Sequence, residues 1–451
     1  MNRKLLKSQF KLNNLIKISN KCVKFNTAIG IDNMTHNRFK EIEPEIISKI
    51  RSDVLCDSYR FTSYKEKLIL KGRNELPRCI SIPTMTDKVC LKALNETLKN
   101  YYPEYKRTKL PQEWIKKIKE EFQYENRSYF LKIDIKSFFD EIEHDILLKK
   151  LKNRIKDKKT INLIKKAIET PTYPSTSKND RGLPQGIAIS NILSNIYLKE
   201  FDRYYNEKEN VTYIRYVDDL LLLFPSEEEA NSFKEEIRVK LKEDLSLEIN
   251  ESKCRVGNIY NDKFNFLGYD IGNKSNSKDL VRIVMNKKSI NKLENKLLNI
   301  ITAFKRDKKY SLEKMIFNLN LLITGCIINN KDDGSHKHNR YGWLFHYLQI
   351  TDLTILYHLD MLVKRKVSEI TTNEKIKEIK KFSKTYFEMK YNLQKSHYIF
   401  KPDEIDLSRK RYILKNFYNI EPDEENVEKK FKDTIFSQVK HYEKDIISQI
   451  S

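Results

Sequence analysis

Two adjacent aspartates, Asp218 and Asp219, lie between two apolar segments in the stretch from Tyr213 to Phe224. Aromatic and β-branched residues precede them, and leucines and a phenylalanine follow, so both segments are predicted to be β-strands. Only Val217 separates the first strand from the acids, which predicts a hairpin with both carboxylates at its tip. Two ionised carboxylates beside a packed sheet repel each other, which favours a bound cation. Because aspartate is also common in solvated turns, the pair alone does not decide between the two interpretations.

A third carboxylate, Asp134, lies at the end of another apolar stretch, which begins at Tyr129. This stretch is predicted to be a strand, and sheet proteins commonly carry ligand-binding groups where strands end. We therefore assign Asp134 a functional role. Asp140 lies just before a predicted helix and is explained by the preference for acidic residues at a helix entry.

The segment Arg181-Gly-Leu-Pro-Gln-Gly186 is a turn with two glycines, followed by an amphipathic helix. Its glycines allow the backbone to approach a substrate without a Cβ atom in the way. Further upstream, a predicted hairpin over 67–83 carries several cations, among them Lys71 and Arg78. These cations either form the solvent face of the hairpin or bind phosphate groups.

The elements that must position these residues are of mixed type. A helix is predicted over 39–50, with Thr35 or Asn33 as its cap. Beyond residue 285 the pattern is helical and rich in lysine up to about residue 395. The length of 451 residues is sufficient for two or three structural units.

The chain is strongly basic, with 86 Lys and Arg against 63 Asp and Glu and a formal net charge of +23. This excess predicts a polyanionic partner, and nucleic acid fits it best. An even scatter of solvated lysines is the alternative. The last fifty residues are close to neutral, so the excess lies upstream of them.

Targeting and redox signals are those of a cytoplasmic protein. No apolar segment follows the basic N-terminus, and no window reaches the length and hydrophobicity of a membrane span. The six cysteines are dispersed without a Cys-x-x-Cys pair, which is typical of free thiols in a reducing compartment. We therefore expect a cytoplasmic protein without a membrane partner.

The order of these motifs resembles the palm of a reverse transcriptase. Lys132-Ile-Asp-Ile-Lys-Ser-Phe-Phe-Asp140 is similar to the first palm motif and Gly182-Leu-Pro-Gln-Gly-Ile-Ala-Ile-Ser190 to the second. Tyr216-Val-Asp-Asp219 is similar to the Tyr-x-Asp-Asp box, and Asn250-Glu-Ser-Lys253 to the fourth motif. Seven ordered blocks over roughly 25–270 make this a specific match, which a lone Asp-Asp pair would not be.

Three further blocks complete the resemblance. Upstream, Gly30-Ile-Asp32 and Arg78-x-Ile-x-Ile-Pro-Thr-x-x-Asp87 resemble the fingers of group II intron and other bacterial reverse transcriptases. Downstream, four consecutive residues resemble the primer grip, namely Phe266, Leu267, Gly268 and Tyr269.

The resemblance implies an α+β fold of the right-hand polymerase type, with fingers, a palm built from an antiparallel sheet plus helices, and a helical thumb. It places the fingers with part of the palm at 1–128 and the palm with the catalytic motifs at 129–275. A helical thumb-like region would follow at 276–395 and a helical C-terminal extension at 396–451.

The resemblance also implies an RNA-directed DNA polymerase that joins deoxynucleotides by two-metal-ion nucleotidyl transfer. Asp134, Asp218 and Asp219 would be the catalytic and metal-binding carboxylates, with Ile135 at the same metal site. The cofactor would be two Mg²⁺ ions, with Mn²⁺ as an alternative, because carboxylates are hard oxygen ligands.

Six residues would contact the incoming deoxynucleotide, namely Lys71, Arg78, Phe139, Gln185, Gly186 and Lys253. Lys71 and Arg78 would clamp the triphosphate, and Lys253 would protonate or neutralise the leaving group. Phe139 would pack against the 2′ position of the sugar and exclude ribonucleotides.

The block from Arg340 to Trp343 and the helical tail resemble the defence-associated, abortive-infection type of bacterial reverse transcriptase. This implies antiviral defence with an RNA template, a dedicated non-coding RNA among the candidates, and a DNA product or primer. The alternatives are a group II intron-like or retron enzyme outside defence, a primer-independent or protein-primed DNA polymerase, and a non-catalytic RNA-binding protein. A second copy of the chain or another protein remains open as a partner.

Overall fold

A computed structural model of the chain describes residues 4–25, 27–70, 77–107, 109–124, 127–272, 281–307, 309–329 and 338–450. The chain divides into two compact units. The first comprises Met1–Thr108 and Tyr129–Val256, and the second comprises Lys109–Ser128 and Gly257–Ser451. The four-part division into fingers, palm, thumb and extension stays a prediction.

Helices dominate both units. In chain order they are α1 (Lys4–Gln9), α2 (Leu12–Cys22), α3 (His36–Glu41), α4 (Glu43–Leu55), α5 (Met85–Tyr101), α6 (Pro111–Tyr124), α7 (His144–Arg154), α8 (Lys158–Glu169), α9 (Ser190–Tyr197), α10 (Lys199–Asn206), α11 (Glu227–Leu245), α12 (Lys287–Arg306), α13 (Leu312–Thr324), α14 (Trp343–His346), α15 (Thr354–Ser368), α16 (Asn373–Ile376), α17 (Phe382–Tyr391), α18 (Leu407–Tyr418) and α19 (Val427–Ile450). Among the described residues, none of these helices is both long and apolar enough to cross a membrane.

The strands are short, and within the described ranges they form four small sheets. In chain order they are β1 (Tyr64–Ile69), β2 (Arg78–Ile82), β3 (Tyr129–Asp134), β4 (Thr172–Tyr173), β5 (Thr212–Tyr216), β6 (Asp219–Phe224), β7 (Arg255–Asn258), β8 (Lys263–Phe266), β9 (Tyr269–Gly272), β10 (Ile283–Met285), β11 (Cys326–Asn329) and β12 (His338–Tyr341).

The first unit is centred on three neighbouring strands in the order β5-β6-β3. Strand β6 is fully covered from Leu220 to Phe224, which explains its continuous apolar sequence, since a strand buried on both faces has no need for polar alternation. Strand β3 pairs with it in antiparallel fashion through Phe130, Leu131 and Ile133, which are equally buried. The sheet therefore provides a rigid support for whatever its strand ends carry.

A second sheet of the first unit has the order β2-β1-β4. The predicted hairpin over 67–83 is confirmed as the antiparallel pair β1–β2. Thr84 caps the buried helix α5 by accepting a hydrogen bond from the backbone N–H of Asp87. The single helix predicted over 39–50 is instead two helices, α3 and α4, that meet at Ile42, because Pro44 begins a new first turn. Thr35 caps α3, as predicted.

The second unit combines the sheet β10-β9-β8 with most of the C-terminal helices. The helical pattern predicted beyond residue 285 was wrong for 326–329 and 338–341, where β11 and β12 form an antiparallel pair. The helix α13 ends at Gly325, whose backbone has a φ of +58°. A Cβ atom at this glycine would overlap the carbonyl oxygen of Tyr341, so the chain turns directly from helix into strand.

Candidate active site

The two aspartates that follow Val217 lie at the tip of the hairpin β5–β6, as the sequence predicts. In this hairpin Tyr216 pairs with Asp219, which leaves Val217 and Asp218 as a two-residue turn. Val217 has a φ of +58°, a left-handed conformation that is unusual for a β-branched residue. The structure therefore holds Asp218 at the end of a strained turn.

The third carboxylate lies on the neighbouring strand. Asp134 ends β3 directly opposite Asp219 of β6. The backbone N–H of Ile135 donates to the carbonyl oxygen of Asp218 over 3.2 Å, which fixes the turn against the end of β3. One end of the sheet thus brings Asp134, Ile135, Asp218 and Asp219 together.

Two of the three carboxylates have cationic or amide partners. The Oδ2 atom of Asp134 accepts hydrogen bonds from Nδ2 of Asn250 and from Nζ of Lys253, each over 3.2 Å. Asp219 has a more distant cation, with Nζ of Lys132 at 3.7 Å from its Oδ1 atom. Asn250 and Lys253 belong to the same short segment, so the fourth motif is positioned by its contact with Asp134.

Asp218 is the least compensated of the three. Burial, the neighbouring Asp219 and then Asp134 raise the pKa of Asp218 to about 6, and Arg78 acts in the opposite direction. Burial also raises the pKa of Asp219, against the effect of Lys132. The accumulation of negative charge in a partly desolvated place is the condition under which a bound cation is most favourable.

The donor set fits a hard divalent cation. Carboxylate oxygens are the ligands that Mg²⁺ prefers, and it commonly keeps further positions for water and substrate phosphate. Among the described residues, no three or more His, Cys, Asp or Glu side chains are arranged so that they could hold a metal ion by themselves. A metal bound at this end of the sheet would therefore take part of its ligands from the substrate.

Beneath the turn lies an arginine that the sequence reasoning missed. The guanidinium of Arg215 forms a two-pronged ion pair with Asp202, with N···O distances of 2.7 and 2.5 Å. It also donates to the carbonyl oxygen of Val217 at 3.0 Å and to the side-chain oxygen of Asn195 at 3.1 Å. Although burial acts to lower it, the pKa of Arg215 is raised by Asp202. A lone arginine within an apolar strand was the available signal.

The Leu-Pro-Gln-Gly loop packs against the first palm motif. The backbone N–H of Leu183 donates to the carbonyl oxygen of Phe139 over 2.7 Å. Nε2 of Gln185 donates to Oδ1 of Asp140 over 3.1 Å. The helix-entry role predicted for Asp140 is therefore corrected, since α7 begins only at His144 and is preceded by Glu143 as its N-cap residue. Phe139 is half-buried and contacts Phe138.

The same loop also packs against β2. The backbone N–H of Ser81 donates to the carbonyl oxygen of Gln185 over 2.7 Å. Gly186 has a φ of +103°, and a Cβ atom there would come within 2.7 Å of the Ile80 side chain, so only glycine fits. Arg78, the first residue of β2, lies close enough to act on the pKa of Asp218. Lys71 lies outside the described residues.

The four primer-grip candidates share one turn of the second unit. Phe266 ends β8 opposite Tyr269, the first residue of β9, and Leu267 and Gly268 form the turn between them with φ values of +51° and +83°. A Cβ atom at Gly268 would lie 2.8 Å from the hydroxyl oxygen of Tyr347, so this position also requires glycine.

Comparison with known proteins agrees with the motif order. Residues 69–271 match the family model described as reverse transcriptase (RNA-dependent DNA polymerase). These residues form a reverse transcriptase domain. The matched stretch includes β2, the Leu-Pro-Gln-Gly loop, all three carboxylates and the turn at Gly268. The predicted reverse transcriptase resemblance is thereby confirmed for residues 69–271, and the helices and antiparallel sheets of the chain agree with the predicted α+β class.

Individual relatives share parts of this domain. The chain is 30% identical to protein YkfC of Escherichia coli (strain K12) over 189 residues, which cover 34% of this chain and 49% of YkfC. It is 25% identical to the group II intron-encoded protein LtrA of Lactococcus lactis subsp. cremoris, over 54% of this chain and 52% of LtrA. The chain thus spans about half the length of these two relatives.

Solved structures provide a more distant comparison. The structure of apo telomerase from Candida tropicalis aligns with 92% of this chain and 73% of its own, with a TM-score of 0.44 and 13% identity. A similarity this low does not extend to a comparison of sites.

Proposed function

We propose that the protein is an RNA-directed DNA polymerase that uses two metal ions at the end of the sheet β5-β6-β3. The observation that carries this proposal is the pairing of Asp134 with Asp219 beside the turn that presents Asp218, inside a reverse transcriptase domain. This register places three carboxylates within one small region at a strand end. Nucleotidyl transfer by two divalent cations needs such a group of oxygen ligands.

In this proposal Asp134 and Asp218 hold the metal ions, Mg²⁺ or Mn²⁺, with Asp219 and the backbone of Ile135 at the same site. When bound, the ions would activate the primer hydroxyl and stabilise charge on the leaving pyrophosphate. Lys253, which contacts Asp134, lies close enough to the carboxylates to donate a proton to the leaving group or to neutralise it. Arg78 contributes a cation for the triphosphate from the start of β2.

The sugar and base side of the nucleotide would rest on the Leu-Pro-Gln-Gly loop and Phe139. The hydrogen bond from Leu183 to the carbonyl oxygen of Phe139 fixes the loop beside this residue, and Gln185 bonds the side chain of the next residue, Asp140. Because an aromatic ring against the 2′ position leaves no room for a hydroxyl, Phe139→Ala should raise ribonucleotide incorporation. The ratio of dNTP to NTP incorporation measures this, and an unchanged ratio would remove Phe139 from the sugar site.

The test of the main proposal is primer extension on a defined RNA template with deoxynucleotides and Mg²⁺. Asp218→Asn should reduce extension by on the order of 10³-fold or more, because lost electrostatic stabilisation in active sites reaches this size. Asp244→Asn, which removes a carboxylate paired with Lys240 on α11, is the matched control and should retain activity. Extension that persists in Asp218→Asn would show that the chemistry takes place elsewhere.

Biologically, we propose antiviral defence with a dedicated non-coding RNA as template or partner. The resemblance of the block from Arg340 to Trp343 to defence-associated enzymes supports this role, whereas the similarity to LtrA favours a group II intron-like enzyme as the second candidate. Phage challenge of cells that express the wild type or Asp218→Asn, together with sequencing of the copurified RNA and DNA, separates the two. Protection that requires Asp218 supports defence. An intron RNA without protection supports the second candidate.

A further inference from the structure

The helical hairpin α7–α8 concentrates positive charge outside the candidate active site. Residues 149–166 contain nine Lys or Arg and a single acid, Asp157. The two helices pack against each other, so these cations share one small surface of the first unit. A local excess of this kind exceeds what the average composition of the chain explains.

Seven of these nine cations fall into two groups. Three of them are half-buried and ion-paired: Lys150 with Glu200 at 2.5 Å, Arg154 with Glu104 at 2.8 Å, and Lys166 with Asp57 at 3.1 Å. These three fasten the hairpin to the elements around it. Their charges are balanced and offer little to a further ligand.

The second group is exposed and lines a groove between the helices. We call this groove the α7–α8 groove, and its volume is about 580 Å³. It is lined by Asp145, Leu148, Lys149, Lys152, Asn153, Lys156, Ile161, Asn162 and Lys165. Over the part of the chain that the structure describes, no carboxylate oxygen lies within 4.0 Å of Nζ of Lys149, Lys152 or Lys156. Lys156 donates to the carbonyl oxygen of Lys152, and Lys165 lies 3.5 Å from Glu169.

The composition of the groove indicates the kind of partner. Several lysines with one lining carboxylate, Asp145, are complementary to a chain of phosphates. No aromatic side chain is among the lining residues, so the groove lacks the stacking platform that single-stranded nucleic acid requires. Double-helical RNA is recognised instead through its phosphates and 2′-hydroxyls, and the exposed amide of Asn153 can bond a 2′-hydroxyl.

We propose that the α7–α8 groove binds the sugar–phosphate backbone of double-helical RNA. Lys149 and Lys152 lie on one face of α7, Lys156 follows its end, and Lys165 faces them from α8. The groove holds the RNA by charge and shape, without reading its sequence. The site is separate from the three carboxylates, so it would anchor a structured segment of RNA that is not being copied.

Binding of a blunt-ended RNA duplex, measured in the absence of nucleotides and over a series of salt concentrations, tests this proposal. The test variant is Lys149→Gln/Lys152→Gln/Lys156→Gln. The matched control is Lys150→Gln/Lys159→Gln/Lys166→Gln, which removes the same charge from the same hairpin but outside the groove. We expect the test variant to raise Kd at least about tenfold and to lower the slope of log K against log salt by roughly 2 to 3, because each lost phosphate contact removes about one released ion.

Three results would overturn the proposal: an equal loss in the control variant, an unchanged salt slope in the test variant, or equal losses with an RNA duplex and a DNA duplex of the same sequence. Thermal unfolding of both variants establishes that they are folded. The test variant should still extend a primer on a short unstructured template. A negative binding experiment therefore does not contradict the proposed polymerase activity. Likewise, absence of polymerase activity does not contradict RNA binding by the α7–α8 groove.

Discussion

The end of the strand β5, which we call the base, and the turn that follows it, which we call the tip, treat charge in opposite ways. At the base, Arg215 is enclosed by Asp202, Asn195 and the carbonyl oxygen of Val217, so its charge is fully matched. At the tip, burial and the neighbouring carboxylates Asp219 and Asp134 raise the pKa of Asp218 to about 6. The ion pair of Arg215 at the base stabilises the fold. The carboxylates at the tip favour the binding of a cation from outside the protein.

This difference separates structural from functional charge within a few residues. A buried ion pair with complete hydrogen bonds has repaid its desolvation within the folded chain. A cluster of like charges has no such compensation, so it lowers the free energy of unfolding. This stability is recovered only when a cation binds. The contrast can be tested by removing charge at each end.

The largest effect is expected at the base. Arg215→Met leaves the half-buried Asp202 without its cation, and breaking a largely buried pair in this way typically costs about 3–5 kcal/mol. Urea unfolding should show this loss, whereas Arg203→Met, at an exposed position of α10, should change stability by less than about 0.5 kcal/mol.

The double variant Arg215→Met/Asp202→Asn sharpens the result at the base. This variant removes the unpaired charge of Asp202 but keeps an acceptor for the hydroxyl of Tyr213. It should therefore recover part of the free energy of unfolding that Arg215→Met loses. If Arg215→Met unfolds like the wild type, the pair is not what stabilises the hairpin.

At the tip the expected effect depends on pH. In the folded protein the pKa of Asp218 is about 6, above its ordinary value of 3.8, so folding favours the protonated form. The corresponding stability is fully present below about pH 4 and is lost as the pH rises through about 6, by up to roughly 3 kcal/mol.

Asp218→Asn cannot ionise at this position and should therefore become more stable than the wild type above about pH 6 when divalent cations are chelated. Urea unfolding of both proteins across this range measures the difference. Addition of Mg²⁺ should reduce it, because a bound cation stabilises the ionised wild type. A difference that does not change with pH would mean that Asp218 is not desolvated as described.

The smallest change in stability is expected at Val217, which lies between Arg215 and Asp218. Val217→Gly relieves the cost of a β-branched residue at positive φ, about 1–3 kcal/mol, but adds the conformational entropy of glycine to the unfolded state, about 1 kcal/mol. We expect a net stabilisation of about 1 kcal/mol together with slower primer extension, because the turn holds Asp218 less firmly.

Ser246→Gly is the control for this change. Ser246 also has a positive φ, of +50°, but lies at the end of α11, so its replacement should affect stability alone. Equal rates of extension in Val217→Gly and the wild type would show that the strained turn has no catalytic purpose.

Local sequence pattern was sufficient for the parts of the site that depend on neighbours in the chain. The hairpin around Asp218 and the end of β3 at Asp134 follow from alternating and continuous apolar segments. That the two strands are adjacent came from the family resemblance, since periodicity does not reveal which strands pair. The strand β11 was missed because its apolar residues directly continue those of α13, and short runs of this kind fit either structure.

Long-range partners were beyond the sequence for a different reason. Nothing in the order of residues indicates that Arg215 meets Asp202, since the hydrogen bonds depend on how α10 packs beside β5. The same holds for Asp140, whose position before a helix suggested a cap although its carboxylate accepts from Gln185. The sequence shows which side chains have the chemistry to bind a ligand. The packing of the fold determines which of them already have partners within the protein.

The bond from Ser81 to Gln185 has a mechanical consequence. Ser81 also shares a hydrogen bond with Thr172 of β4, so strand β2, the Leu-Pro-Gln-Gly loop and β4 are tied at a single residue. A displacement of the loop is therefore transmitted along β2 to Arg78 at its other end. The Leu-Pro-Gln-Gly loop and Arg78, which form two sides of the candidate nucleotide site, therefore cannot move independently. A poorly fitting nucleotide that displaces one of them also displaces the other.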